Sequence, residues 1–307
     1  MIPLWSGIPN TWDCDEMGHM NVRVYVEKAM EGLGALAGAI QMPHAFHANA
    51  PSTLLPAEHH IRFIREAHAG RPLKMTGCIL EWDETSALVY QDIRHSDGRP
   101  AAAFRTRVLH VESKSGKPFA WSTRSRAQLE ALIDTPPEDT KPRGLDPAIS
   151  PIPSSMATLA QARKFGVPEI GRGLVLPKEC DTFGRFWAPW FIGRISDSVP
   201  NLLKDWRDRI GAASGDVRVG AAVLEYRLIY RKWPRVGDRL VVHSGLAEVG
   251  EKTHSLSHWV LNPDTGDAWT TCQAVAVSFD LDTRKAIPQN PDHIVELETI
   301  APRGLQL

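Results

Sequence analysis

Between Trp12 and Gly32 the chain reads WDCDEMGHMNVRVYVEKAMEG, which gathers two aspartates, a histidine and an asparagine at one strand-to-helix junction. Asp13 and Asp15 flank Cys14; Gly18, His19 and Asn21 follow, ahead of a helical pattern that carries Tyr25 and Glu31. A carboxylate in such a place can attack an electrophilic carbon or take a proton from water. Unpaired N–H groups at the helix start, with the positive end of its dipole, can hold a developing oxyanion. Gly18 lets backbone approach a ligand closely, and His19 or Asn21 can orient a water or hold a carbonyl. Each residue also has a plainer reading. Asp15 can cap a helix or pair with an arginine, Asn21 can be an N-cap, and His19 a satisfied structural group. Tyr25 can line a substrate site or be core, Glu31, 16 residues beyond Asp15, can support that site from deeper in the helix or be a solvated charge, and Asp13 can be a turn acid.

A second stretch, ECDTFGRFWAPWFIGRISDSV at 179–199, follows the same plan. Setting Asp15 on Asp181, an offset of 166, also sets Gly18 on Gly184, Tyr25 on Phe191 and Glu31 on Asp197. Arg62 falls on Arg227 at 165 and Gly98 on Gly266 at 168, as small insertions in turns would produce. Repetition over this length means two copies of one domain. The cut lies in 136–153, PPEDTKPRGLDPAISPIP, whose six prolines favour an extended, semi-rigid linker. The expected domains are therefore 1–135 and 154–307, joined by 136–153, each half of ordinary domain size.

The elements that must position the junction follow one order in each half: short strand, helix, four strands. Tyr25, Ala29, Leu33 and Leu36 share a helix face, and Phe191, Ile195 and Val199 repeat it. The first helix also holds Gly32, Gly34, Ala35, Ala37 and Gly38, a composition tolerable where a sheet wraps closely around it. HHIRFIRE, PLKMTGCILEW, RLVVHSGLAEV and QAVAVSFD alternate as strands do, and SDGRP and PDTGD carry hairpin chemistry. The fold class is α+β, one apolar helix face on an antiparallel sheet in each half.

The rest of the chain excludes several classes. Of 307 residues, 43% are hydrophobic and 23% charged, and the net charge of −1 gives no basis for nucleic-acid or anionic-membrane partners. No apolar run reaches the ~18–20 residues that span a bilayer, and MIPLWSGIPN lacks the pattern of a signal peptide, so the expected location is cytoplasmic. Cys14, Cys78, Cys180 and Cys272 form no C-x-x-C pair and read as free thiols. Neither Glu58-His59-His60 nor the His44 and His47 pair has convincing metal-ligand spacing, so no metal is expected. There is no G-x-S-x-G elbow, and SKSGK lacks the first glycine of a phosphate-binding loop.

Asp13-Cys14-Asp15, Gly18-His19-Met20-Asn21, Tyr25 and Glu31 together resemble the 4-hydroxybenzoyl-CoA thioesterase branch of the hotdog superfamily. The family pattern is roughly D-x-D-x-x-G-H-V-N-N, then a tyrosine and a glutamate; here Val22 stands where a second asparagine is common. The resemblance implies a sheet wrapped around each helix, two hotdogs paired as a pseudo-dimer within one chain, and sites at their interface. It implies hydrolysis of an acyl-CoA thioester with no cofactor beyond the coenzyme A of the substrate, and it puts the catalytic carboxylate at Asp15. A thioester suits a lone carboxylate, because its carbonyl is electrophilic and a thiolate leaves readily.

In the second copy Arg185 replaces His19 and Trp187 replaces Asn21, with Trp190 and Phe191 adding bulk. The aromatic cluster is core, or the wall of an acyl pocket. Arg185 is a candidate anchor for a coenzyme A phosphate or an acyl carboxylate, and Asp181 with Asp197 leaves a second site open. A hotdog hydratase or dehydratase using Asp15 and His19, and an acyl-CoA-binding module without catalysis, are the competing readings. The tandem chain could also form a homo-oligomer.

Overall fold

The computed structural model describes residues 1–210, 219–280, 282–283, 285–288 and 291–307. The chain divides into two compact units, Met1–Pro142 with Pro177–Ile192, and Arg143–Leu176 with Gly193–Leu307. The first holds β1 (Ile2–Gly7), α1 (Val22–Ala39), β2 (Ser52–Phe63), β3 (Leu73–Trp82), β4 (Ser86–His95), β5 (Pro100–Glu112) and α2 (Thr123–Ala131). The second half of the chain adds α3 (Leu159–Lys164), β6 (Glu169–Leu174), α4 (Ala188–Ile210), β7 (Val219–Tyr230), β8 (Arg239–Val249), β9 (Thr253–Leu261), β10 (Ala268–Asp280) and α5 (Pro291–Ile300). Helix α4 begins in the first unit and continues in the second.

The strands of the first unit are ordered β1-β3-β4-β5-β2, every pair antiparallel. The strands of the second are ordered β7-β10-β9-β8-β6, again all antiparallel. Each five-stranded antiparallel sheet with its inserted helix is a hotdog domain, and the chain carries two in tandem.

Helix α1 lies against its sheet through the predicted face, with Tyr25, Ala29, Leu33 and Leu36 all buried. Each large apolar side chain removed from water there contributes about 1.5–3 kcal/mol. Gly32 is the point of closest approach: a Cβ there would stand 2.6 Å from Met75 Sδ on β3, 2.8 Å from Gln91 Nε2 on β4 and 3.4 Å from Leu4 on β1. Gln91 also donates to the Ala29 carbonyl at 2.7 Å, a sheet side chain tied to helix backbone. Close approach of the sheet accounts for Gly32 but not for every small residue of α1. Gly34 and Ala35 are exposed, and added Cβ atoms at Gly34 or Gly38 would meet nothing within 4 Å.

Strand β2 starts at Ser52, well before the HHIRFIRE segment that alternation marks. Pro56 lies within this strand, and the register shifts between Pro56 and Glu58, so a bulge at Ala57 absorbs it.

The proline-rich segment is stitched down rather than free-standing. In the first unit Arg62 Nη1 donates to the carbonyls of Asp139 (3.1 Å) and Lys141 (2.6 Å), and Tyr90 shares a 2.6 Å hydrogen bond with buried Thr140. In the second, Arg227 Nη1 donates to Asp146 (3.1 Å) and Ile149 (2.7 Å), while Glu225 accepts from the N–H groups of Arg143 and Gly144. The repeat-related arginines thus serve the same end in each copy: they satisfy backbone carbonyls of a segment that has no ladder of its own. Among the described residues no helix is long and apolar enough to cross a membrane.

Candidate active site

The junction before α1 is a tight loop built around Asp15. Its backbone N–H donates to the His19 carbonyl (2.8 Å), and its own carbonyl accepts from Gly18 N–H (3.0 Å). Its side-chain Oδ1 accepts from the N–H groups of Met17 (3.0 Å) and His19 (3.1 Å). Cys14 and Met20 close the loop as an antiparallel bridge, and Asn21 N–H reaches back to the Asp13 carbonyl at 2.8 Å. The turn needs the left-handed backbone that Gly18 supplies at φ +79°. Asp15 Oδ2 takes no hydrogen-bond partner among the described residues, and the side chain is half-buried.

The second copy repeats this loop bond for bond. Asp181 N–H donates to the Arg185 carbonyl, Gly184 N–H to Asp181, and Trp187 N–H to Glu179. Asp181 Oδ1 accepts from Phe183 and Arg185 N–H, Cys180 bridges Phe186, and Gly184 has φ +73°. The difference lies in the other carboxylate oxygen. Asp181 Oδ2 receives Arg185 Nε at 3.0 Å, and Arg185 is only 4% exposed. Arg185 is therefore turned inward onto the loop acid, over the Phe183 ring at 4.8 Å, and not out toward a ligand phosphate.

His19 Nε2 lies 3.3 Å from a Glu66 carboxylate oxygen, and His68 Nε2 lies 3.9 Å from the same oxygen. Glu66 and His68 sit in the segment after β2, which is clamped to the junction at Ala67. The Ala67 carbonyl accepts from Met20 N–H at 2.8 Å, its N–H donates to the Tyr25 hydroxyl at 3.2 Å, and His19 and His68 form a backbone bridge. Sequence reasoning missed Glu66 and His68. They are 47 and 49 positions from His19, and only an acid and a histidine just beyond a strand end could have flagged them. The three ligand atoms of His19, Glu66 and His68 lie within 4.8 Å of one another, a set that local spacing could not reveal.

The remaining predicted residues separate. Asn21 is the N-cap of α1; its Oδ1 accepts from Arg23 N–H at 2.9 Å, leaving the first helical N–H, that of Val22, without an intrahelical acceptor. Glu31 is exposed and paired with Lys28 at 2.7 Å, nine residues, or about 14 Å, along the helix from Val22. The structure does not bring it to the junction. Trp187 is half-buried at the position matched to Asn21. Trp190, one turn on, lies against the α1 start, with Arg23 4.6 Å and Lys178 5.9 Å from its ring centroid.

Tyr25 is 4% exposed, stacks edge-on with Phe63 at 5.2 Å, and holds the segment that carries Glu66. Burial pushes its hydroxyl well above the ordinary phenol range, so it stays a neutral hydrogen-bonding group at all ordinary pH. Removing that hydroxyl strands the buried Ala67 N–H. Tyr25→Phe is expected to lower stability by about 1–2 kcal/mol in urea unfolding; a change below ~0.3 kcal/mol would mean that water replaces the hydroxyl.

A family model described as the thioesterase-like superfamily matches residues 9–156 and 175–296. The chain belongs to that superfamily, with one match on each hotdog. Solved structures of the same fold include a protein described as an oleoyl thioesterase from Lactobacillus plantarum, 11% identical, with a TM-score of 0.66 over 90% of this chain and 95% of that one. An acyl-ACP thioesterase from Bacteroides thetaiotaomicron is 13% identical, with a TM-score of 0.62 over 90% and 96%. The 12:0-ACP thioesterase from Umbellularia californica is 8% identical, with a TM-score of 0.63 over 90% and 93%. No curated protein matches the chain.

Proposed function

We propose that the chain hydrolyses acyl thioesters, with acyl-CoA as the substrate and the first-copy junction as the site. Asp15 Oδ2 takes a proton from water as the water adds to the thioester carbonyl. The oxyanion faces the start of α1, where the Val22 N–H and the helix dipole stabilise negative charge. Collapse breaks the C–S bond, and His19, oriented by Glu66, returns a proton to the departing thiolate. Tyr25 and Gly18 are positioning residues, and Trp187 and Trp190 form an apolar wall. Asp181 and Arg185 hold the second loop together rather than act on substrate. The scheme calls for no cofactor apart from the coenzyme A of the substrate.

The observation that supports this reading is the asymmetry of the Asp15 carboxylate. One oxygen is fixed by two backbone N–H groups, and the other takes no partner among the described residues. A purely structural acid is better satisfied when both oxygens are engaged, as they are at Asp181. Thiol release from CoA thioesters bearing short, long, aromatic and charged acyl groups tests it, with acyl groups on carrier protein as a parallel arm, since two of the fold relatives act on acyl-ACP. Release from at least one CoA thioester is expected. Release only from carrier protein would transfer the substrate assignment. Loss of crotonyl-CoA enoyl absorbance without thiol release would replace hydrolysis by hydration, and binding without turnover would end the enzymatic reading.

A further inference from the structure

We propose that His19, Glu66 and His68 form a binding site for a zinc-class divalent cation. The three ligand atoms already lie within 4.8 Å of one another, and two of the separations are 3.3 and 3.9 Å. Tetrahedral zinc with bonds of ~2.0–2.1 Å holds its ligands about 3.3–3.4 Å apart, so small side-chain rotations close the set. Solvent reaches both side chains that would move, with Glu66 38% and His68 52% exposed.

Backbone pairing, not chance proximity of long side chains, brings the ligands together. Glu66 and His68 flank Ala67, so in an extended segment their side chains leave on one side. Ala67 is pinned at both its N–H and its carbonyl. His19 is the bridge partner of His68 across the pairing, and their rings meet edge-on at 5.1 Å. Cross-strand neighbours of this kind face each other without further adjustment.

The tautomer of His68 fits as well. Its Nδ1 lies 3.2 Å from the Gly18 carbonyl, which can only accept, so Nδ1 carries a proton and Nε2 is the nitrogen left to ligate, 3.9 Å from the Glu66 carboxylate. A ligating imidazole held through its other nitrogen by a carbonyl is a recurrent supporting arrangement at metal sites. On binding, the cation takes the place of the His19 Nε2 proton directed at Glu66; that proton passes to solvent or to Nδ1. Two imidazoles and one carboxylate favour zinc and its late-transition neighbours over magnesium or calcium, and they leave a fourth position open.

The consequence for activity rests on the proposed function. A bound cation occupies His19 and Glu66 and removes them from proton transfer, so zinc inhibits hydrolysis. The binding itself does not depend on that function. Titration of chelator-stripped full-length protein with zinc is expected to give one site per chain, weakened at least tenfold in His68→Ala. A His44→Ala/His47→Ala double variant, altering an exposed ring pair 4.7 Å apart, is expected to keep the full affinity. Zinc should also move the ring signals of His19 and His68 in NMR spectra of the unaltered protein. The proposal is overturned if no zinc binds, if His68→Ala binds as well as the unaltered chain, or if the shifts fall only on other histidines. In the activity arm, the half-inhibiting zinc concentration should rise at least tenfold in His68→Ala, each variant being compared with its own zinc-free rate. Absence of hydrolysis in zinc-free protein counts against the catalytic reading alone and leaves the binding result to decide the site.

Discussion

Asp15→Asn is expected to lower turnover by about 10²–10⁴-fold, the range spanned by a positioned general base. The reason is the division of labour between the two carboxylate oxygens. Oδ1 accepts from Met17 and His19 N–H and so shapes the loop. An asparagine oriented with its carbonyl oxygen in that place preserves both bonds, while its NH₂ falls where Oδ2 stood and can accept no proton from water. The loop is kept and the base is lost. Thiol-release kinetics with a saturating acyl-CoA measure the first effect, and urea unfolding with a binding isotherm for a non-hydrolysable analogue checks that fold and affinity are retained. A turnover within threefold of the unaltered chain would remove Asp15 from the reaction and leave it the loop-capping role that Asp181 visibly has. A large loss of both stability and affinity would make the kinetic effect uninformative about the base, and Asp15→Glu, which keeps the carboxylate but displaces it, would then be the variant to read.

Much of the architecture was legible in the sequence because it rests on local periodicity. Alternation in PLKMTGCILEW and RLVVHSGLAEV marks β3 and β8 to within a residue, and the 4-4-3 spacing from Tyr25 to Leu36 marks the buried face of α1. The repeat is likewise visible at Asp15 and Asp181, and the structure extends it to individual backbone hydrogen bonds. What escaped depends on contacts between distant segments. Pro56 hides the first half of β2 because a bulge is a property of the strand pair, not of one strand. Arg62 and Arg227 show in sequence only as matched repeat positions, because their partners are carbonyls 77 to 81 positions away. Glu66 and His68 carry no motif; they reach His19 only because Ala67 pairs with Met20. Type and spacing found the junction but not the residues that pack against it, since those come from another strand end.

Arg185→Ala should be among the most damaging single changes in the chain, at about 3 kcal/mol of stability. Removing one member of a buried ion pair typically costs 3–5 kcal/mol, because the remaining charge is left without compensation. Asp181 retains 20% side-chain exposure, and water reaching it puts the cost at the lower end. The pair itself is not an optimised stabiliser. Arg185 Nη1 is buried with no hydrogen-bond partner among the described residues, so part of the guanidinium's desolvation goes unrepaid. The double change Arg185→Met with Asp181→Asn is therefore expected to cost far less than Arg185→Ala, within about 1 kcal/mol of the original chain, since the asparagine still accepts from Phe183 and Arg185-position N–H groups and the methionine refills the space over Phe183. Urea unfolding of the single and double variants measures the difference. If the single variant loses less than about 1 kcal/mol, Asp181 is already solvated well enough to stand alone. The second loop would then differ from the first only in its side chains and not in its electrostatics, and Arg185 would not be what neutralises the repeated acid.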